Sequence, residues 1–298
     1  MKNGSSLLAA LLLLSACGNS EKAYDATGTF EATETTVCAE QSGQLTRFDV
    51  TEGDSLRMNE EVGLVDTVQI SLQIAQTMAT RQVYNAQRPD VRRQLAATQE
   101  QLVKARREQQ RYTELVADGA APRKLQDDAR SQVLVLERQL EALRSSLAVE
   151  QSTLTARQKT ADTQVNQLAD QLRKCHIVAP LTGTVLEKYV ERGEFVAMGK
   201  PLFKMADTRH MFLRAYVTSA QLEHIKVGQR VKVATDYGDG RGRSYNGTVT
   251  WISTKSEFTP KTILTDDERA DLVYAVKISV VNDGYIKIGM YGQVKFTE

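Results

Sequence analysis

Few side chains in this sequence are spaced for chemistry. His176, His210 and His224 are its only histidines, and none stands one helical turn from another His or Cys, so no metal-ligand set is visible. There is no nucleophile elbow, no Gly-rich phosphate loop opening a helix, and no isolated carboxylate pair with a reason to shift its pKa. The pattern points away from an enzyme and calls for no cofactor and no metal. Three cysteines, Cys17, Cys38 and Cys175, are the remaining reactive groups, and their roles depend on where the chain resides.

The N-terminus decides that. Lys2 supplies a positive start, Leu7 to Leu14 a short apolar run, and Leu14-Ser15-Ala16 small residues before a cleavage point. The run is too short to span a bilayer. Leu14-Ser15-Ala16-Cys17 resembles the lipobox of bacterial lipoproteins, which implies a signal peptide over 1–16, a diacylated Cys17 as lipid anchor, and a linker over 17–26. More than one acyl chain is what stable anchoring needs, at about 0.8 kcal/mol per buried methylene. The mature chain is then expected outside the cytoplasm, where disulfides are permitted. Cys38 and Cys175 either form a bridge there, constraining the unfolded chain by about 4–5 kcal/mol in the entropic account, or stand as two free thiols.

With 41% hydrophobic and 25% charged residues the chain is globular rather than disordered. Its 38 Lys and Arg nearly cancel 37 Asp and Glu, so no long-range basic field exists to attract nucleic acid.

The strongest internal signal is a repeat. Residues 37–66 match 177–206 without a gap at an offset of about 140: Gly43 meets Gly183, Leu45 meets Val185, Val50 meets Val190, Gly53 meets Gly193, Val62 meets Leu202 and Val65 meets Met205. Short apolar alternations broken by Glu52-Gly53-Asp54 and Arg192-Gly193-Glu194 read as strands joined by tight turns. Each half is too small for a core of its own, so the two should close face to face. The glycine spacing resembles the lipoyl/biotinyl flattened β-barrel. Such domains carry a modified Lys at the turn joining the halves, but here that turn is near Val65-Asp66-Thr67, and Lys204-Met205 lies in the wrong half.

Between the halves the period is helical. Val133, Leu140, Leu147, Leu154, Ala161 and Leu168 recur every seven residues, joined by Leu136 and Leu143, which is a coiled-coil seam. Val165 and Leu172 fall one place later, the drift of a nearly straight helix. Val91, Leu95, Leu102, Ala105, Tyr112 and Val116 give an earlier arm. Asp118-Gly119-Ala120-Ala121-Pro122 breaks the two, Gly119 as a helix stop and Pro122 as a first-turn residue of the next helix. A hairpin follows, with arms of about fifty residues or about 75 Å, and Pro89 should split the first arm near Arg88. So long and thin a hairpin suggests reach.

Strand patterns return from Arg209: Met211 to Val217, Val231 to Ala234, Thr248 to Ser253, Leu272 to Val280 and Gly292 to Phe296, with a short helix near Ser219 to Ile225. The expected fold is α+β: a split lipoyl-like β-module with an inserted α-helical coiled-coil hairpin, plus a small, mostly antiparallel β-barrel. The expected boundaries are 27–36 for an N-terminal strand of the barrel, 37–66 for the first lipoyl-like half, 67–174 for the hairpin with its tip near 118–122, 175–208 for the second half, and 209–298 for the barrel.

This order of parts resembles the membrane fusion protein or periplasmic adaptor family, HlyD-like, over nearly the whole mature chain. Ile177-Val178-Ala179-Pro180-Leu181-Thr182-Gly183-Thr184-Val185 and Leu213-Arg214-Ala215-Tyr216-Val217 carry the likeness. Glu257-Phe258-Thr259-Pro260-Lys261-Thr262, Glu268-Arg269 and Leu272-Val273-Tyr274 resemble the branch that works with ABC-type exporters. The end of the sequence at Glu298 points the same way, against the longer RND-type adaptors. The resemblance implies a noncatalytic adaptor of a tripartite efflux or export pump. It would join an inner-membrane ABC permease and ATPase to a TolC-like outer-membrane channel, assemble as a ring of six, and sit in the periplasm of a Gram-negative bacterium, held by lipid on the outer leaflet of the inner membrane. An RND-type adaptor and a structural envelope lipoprotein are the alternatives. The family's channel-docking signature falls on Arg111, Leu115 and Gly119, but Pro122 replaces its Ser. Either the channel partner differs, or the hydroxyl is dispensable as a cap for the second arm.

Overall fold

The computed structural model describes residues 24–235, 242–257 and 273–296. They divide into two units, one comprising the residues up to Gly63 with those from Ile177 onward, the other Leu64–His176.

In the first unit the repeat becomes geometry. After β1 (Ala26–Cys38) come β2 (Gly43–Phe48), β3 (Ser55–Leu56) and β4 (Glu61–Val65), and after the helices β5 (His176–Val178), β6 (Gly183–Lys188), β7 (Phe195–Val196) and β8 (Pro201–Thr218). Strands β2, β3 and β4 have β6, β7 and the start of β8 as their counterparts in the repeat. Each half pairs within itself, β2 with β4 and β6 with β8, and also across to the other: Gly43 lies opposite Val196, and Leu56 opposite Gly183. The loops exchange bonds reciprocally. Leu45 N donates to Glu194 O and Val185 N to Asp54 O, both at 2.9 Å, while Asn59 N donates to Ala179 O and Gly199 N to Ala39 O, both at 2.8 Å. Leu45, Val50, Val62, Val185, Val190 and Leu202 are buried, as the repeat requires. Gly53 and Gly193 hold φ of +91° and +95°. At the position equivalent to Gly199, Asn59 takes φ +65°, a conformation Asn tolerates better than most residues.

The remaining strands are β9 (Arg230–Thr235), β10 (Ser244–Ile252), β11 (Val273–Val281) and β12 (Tyr291–Lys295). The order β1-β12-β9-β10-β11-β8, closed by β1 on β8, makes a six-stranded antiparallel barrel around Phe30, Met211, Leu213, Val217, Val233, Ile278 and Val294. The N-terminal strand therefore seals it. Gly28 is obligatory there, because a Cβ would lie 1.9 Å from Arg214 O.

The expected boundaries at 36/37 and 208/209 fall inside strands, since β1 and β8 run unbroken through both β-modules. The handover is a bulge: Ala32 pairs with Met211 but Thr33 with Asp207, leaving Thr208, Arg209 and His210 without a partner on β1. Such a bulge bends the strand and increases its twist, so one pair of strands can serve two barrels. Burial pushes the Asp207 carboxyl up, but bonds from the His210 ring and from the His210 and Arg209 N–H groups outweigh it and hold the group below its usual range.

The second unit is helical: α1 (Val68–Ala86), α2 (Val91–Ala117) and α3 (Arg123–Lys174). At 52 residues, α3 is about 78 Å long. Its buried residues are Val133, Leu136, Leu140, Leu147, Leu154, Ala161 and Leu168; those from Val133 to Leu147 share a core with Leu95, Leu102 and Ala105 of α2. The first arm breaks around Pro89, and the Asp90 side chain caps α2 by accepting from Arg93 N at 3.2 Å. Pairing stays in register across the break, from Arg81–Asp162 to Arg106–Glu137, both 2.7 Å. No residue of α1 is fully buried, so its hold on α3 rests on such pairs and half-buried contacts. At the tip Gly119 (φ +70°) follows the last turn of α2; Ala120 N bonds Leu115 O at 2.8 Å and Gly119 N bonds Val116 O at 3.2 Å, which is a Schellman stop. Pro122 is the N-cap of α3 rather than a first-turn residue, with an extended ψ of 143°. A fourth helix, α4 (Ser219–Leu222), opens with a capping box between Thr218 and Gln221 and is shorter than the sequence pattern suggested.

Leu140→Ala should destabilise the helical unit by about 2 kcal/mol or more, and Gly183→Ala, whose Cβ would meet Ala206 O at 2.2 Å, should cost the β-unit about 1–3 kcal/mol. Urea titrations followed by circular dichroism check both.

Candidate functional site

The hairpin tip is built by helix stops rather than by a cavity. Arg111 and Leu115 stand one turn apart on α2, so they share a face, and the Schellman turn at Gly119 ends the helix just beyond them. Arg111 is exposed, its guanidinium 5.1 Å from the Tyr112 ring centre and Nη2 3.4 Å from the Tyr112 hydroxyl. Leu115 is 37% exposed, and its carbonyl is spent on the turn. Pro122 offers no hydroxyl, and α3 has no side-chain cap. A cation beside an exposed apolar side chain near a helix end can be recognised by another surface. Leu125, 40% exposed, extends the apolar character into α3. The sequence pattern had not singled it out, because it lies off the seven-residue seam.

Two of the phrases singled out in the sequence meet in space. Along Leu213-Arg214-Ala215-Tyr216-Val217 the odd-numbered residues are buried in the barrel and Arg214 turns outward, where Nη2 binds both carboxylate oxygens of Glu257 at 2.7 and 3.0 Å. Glu257 and Val273 then exchange backbone bonds. Phe258 to Thr262, Glu268, Arg269 and Leu272 lie outside the described residues, as does Cys17. In the third phrase, Thr182 Oγ1 accepts from Met58 N at 3.0 Å, across the repeat.

Of the two states left open for the cysteines, the structure has two free thiols. Cys38 is exposed at the end of β1, whereas Cys175 is buried at the end of α3, its Sγ 3.4 Å from Gln171 O. Burial, with the Asp66 carboxylate nearby, pushes the Cys175 thiol up from its ordinary pKa. Lys204 sits within β8 rather than on a turn, ion-paired with Glu34 at 2.5 Å, which holds its ammonium above the usual range. His176 is on β5, His210 on β8 against Asp207, and His224 follows α4. Among the described residues no group of three or more His, Cys, Asp or Glu could hold a metal, and no helix is long and apolar enough to cross a membrane.

No protein-family model matches the chain. It is 36% identical over 129 residues to the UPF0194 membrane protein YbhG of Salmonella arizonae, and 36% over 127 residues to that of Salmonella gallinarum. Those matches take in 43% and 42% of this chain but only 38% of each relative's length. Among solved structures, the membrane fusion protein Spr0693 of Streptococcus pneumoniae R6 superposes with a TM-score of 0.51 at 16% identity, over 91% of this chain and 98% of that one. The chain has the membrane fusion protein fold. MacA of Actinobacillus actinomycetemcomitans agrees, with a TM-score of 0.54 at 20% identity over 90% of this chain and 76% of its own. So does a MacA–MexA chimera carrying the Pseudomonas aeruginosa MexA α-hairpin domain, at 0.51 and 23% identity, covering 92% of this chain and 81% of that one. In this membrane fusion protein fold the hairpin is the inserted element and the paired halves flank it in sequence.

Iodoacetamide labelling of the native protein should modify Cys38 and spare Cys175, with both reacting after denaturation. Peptide mapping by mass spectrometry reads the outcome, and non-reducing and reducing gels should show the same mobility.

Proposed function

We propose that the protein is a noncatalytic periplasmic adaptor of an efflux or export pump, docking through its hairpin tip to an outer-membrane channel of the TolC type and serving an inner-membrane transporter of the ABC type. The observation that carries the reading is the tip itself. A 52-residue helix and its partner arm end in a tight, capped turn that leaves Arg111 and Leu115 to solvent on one face. So long a seam buries little surface per ordered residue, and reach is the benefit that offsets that cost. Likeness in fold to membrane fusion proteins and homology to YbhG support the adaptor role. The ABC assignment rests on the resemblance of the phrases around Glu257 and Val273, which their mutual backbone bonds join and the Arg214–Glu257 pair ties to β8.

Self-association into a ring, of six copies by resemblance, is supported by apolar side chains off the seam. Val68, Leu72 and Val83 on α1, and Leu134, Val135 and Val149 on α3, are each 49–64% exposed. Neighbouring copies in a ring would cover them. Cys17 is proposed as the lipid anchor on the outer leaflet of the inner membrane, on the strength of its lipobox-like context alone. In this reading the energy for transport comes from the transporter's nucleotide hydrolysis, and the adaptor supplies contacts.

Arg111→Asp and Leu115→Asp should each abolish export while leaving the circular dichroism spectrum and melting temperature unchanged, because neither side chain supports the seam. Efflux assays in cells, with the variants expressed at equal level, provide the measurement. Unimpaired transport by both variants would sink tip docking.

A further inference from the structure

At the β8 bulge a cavity of about 430 Å³ opens between the two β-modules of the first unit. That volume lies within the range of small-molecule sites, about 300–1,000 Å³. Its apolar lining comes from Leu186, Met211, Ile286 and Ile288; its polar lining comes from Thr184, Thr208, Arg209 and Lys287.

The hydrogen-bond inventory of this lining is lopsided. The Thr184 and Thr208 hydroxyls are 2.9 Å apart, so whichever donates, one O–H proton is left over. Lys287 Nζ gives one bond, to Gly284 O at 3.0 Å, and keeps two protons. The Arg209 guanidinium is exposed and makes no side-chain bond to a described residue. Its backbone is pinned on both sides, N–H to Asp207 and carbonyl from Asn282 N at 2.8 Å, which fixes the side chain's root at the rim. Asn282, also in the lining, spends both amide protons on Thr208 O and Ile286 O and its oxygen on Gly284 N and Ile286 N.

No carboxylate lines the cavity. The three carboxylates that flank the lining residues in sequence are already engaged: Glu187 by the Tyr189 hydroxyl, Asp207 by His210, and Asp283 by Arg243 and the Tyr245 hydroxyl. The site is thus rich in donors and positive charge, poor in acceptors, and apolar on its floor. A singly charged oxyanion head on an apolar body satisfies both halves, the head through charge-assisted bonds and the body through burial.

We propose that this cavity binds an amphiphilic organic anion, an oxyanion head held by Arg209, Lys287 and a threonine hydroxyl with its apolar part against Leu186 and Ile288. The assignment stands on the geometry alone, independent of the adaptor role.

The probe is 8-anilino-1-naphthalenesulfonate, titrated by fluorescence into the purified full chain beside N-phenyl-1-naphthylamine, which keeps the arene and lacks the sulfonate. A saturable site for the sulfonate is expected, weakened at least about tenfold by Arg209→Glu or by Lys287→Glu, the scale of one lost bond to a charged group. Binding of the neutral amine should be unmoved by either variant, and Lys226→Glu, which reverses a charge elsewhere on the barrel, should leave the sulfonate's affinity intact. The proposal is overturned if neither pocket variant weakens the sulfonate, if the Lys226 control weakens it as much, or if no saturable site exists.

Discussion

The structure depends on an exchange of main-chain hydrogen bonds between two short stretches about 140 residues apart in sequence. Neither stretch satisfies its backbone alone: β2 lies between β4 of its own half and β7 of the other, and β6 between β8 of its own half and β3 of the other. Buried N–H and C=O groups left unpaired cost free energy on the scale of a lost hydrogen bond, so the two halves fold together or not at all. Everything between them must therefore leave one half and come back to the other, and an antiparallel hairpin meets that condition with the fewest specified contacts. The matching arms, with α1 and α2 together answering α3, follow from the same closure.

A second constraint acts on β1 and β8. Two barrels share these strands, and a single strand pair cannot present the right face to both cores unless its register changes. The three residues at Thr208–His210 that β1 skips make that change; the Asp207 carboxylate accepts from Arg209 N and His210 N, and Asn282 donates to the Thr208 and Arg209 carbonyls. A bulge frees side chains from the alternation that would otherwise commit them to a core or to solvent. Arg209 is the consequence: it follows no inward or outward rule of either barrel and sits at the rim of a cavity.

Stability and the proposed docking surface draw on different parts of the chain. Buried positions of the helices form one narrow stripe, which leaves the rest of each helix surface available for contact. The tip residues make no contribution to that stripe. This separation leaves the tip free of the seam's packing, so Pro122 stands at the N-cap of α3 without touching the stripe.

Much was legible in the sequence because it rests on periodicity. The offset repeat, the seven-residue seam from Val133 to Leu168, the break at Pro89 and the stop at Gly119 are local patterns, and backbone geometry converts them into structure with little ambiguity. The positions of Arg111 and Leu115 near a helix end followed from the same count. Three matters were decided only by tertiary structure. Pairing of Arg214 with Glu257 joins residues with no shared periodicity. Cys38 stands exposed and Cys175 buried, both as free thiols, a difference of burial that their spacing in sequence does not encode. The continuity of β1 and β8 through both modules, with its bulge, depends on partner strands distant in sequence, and register between such strands is set by the packing of both cores at once.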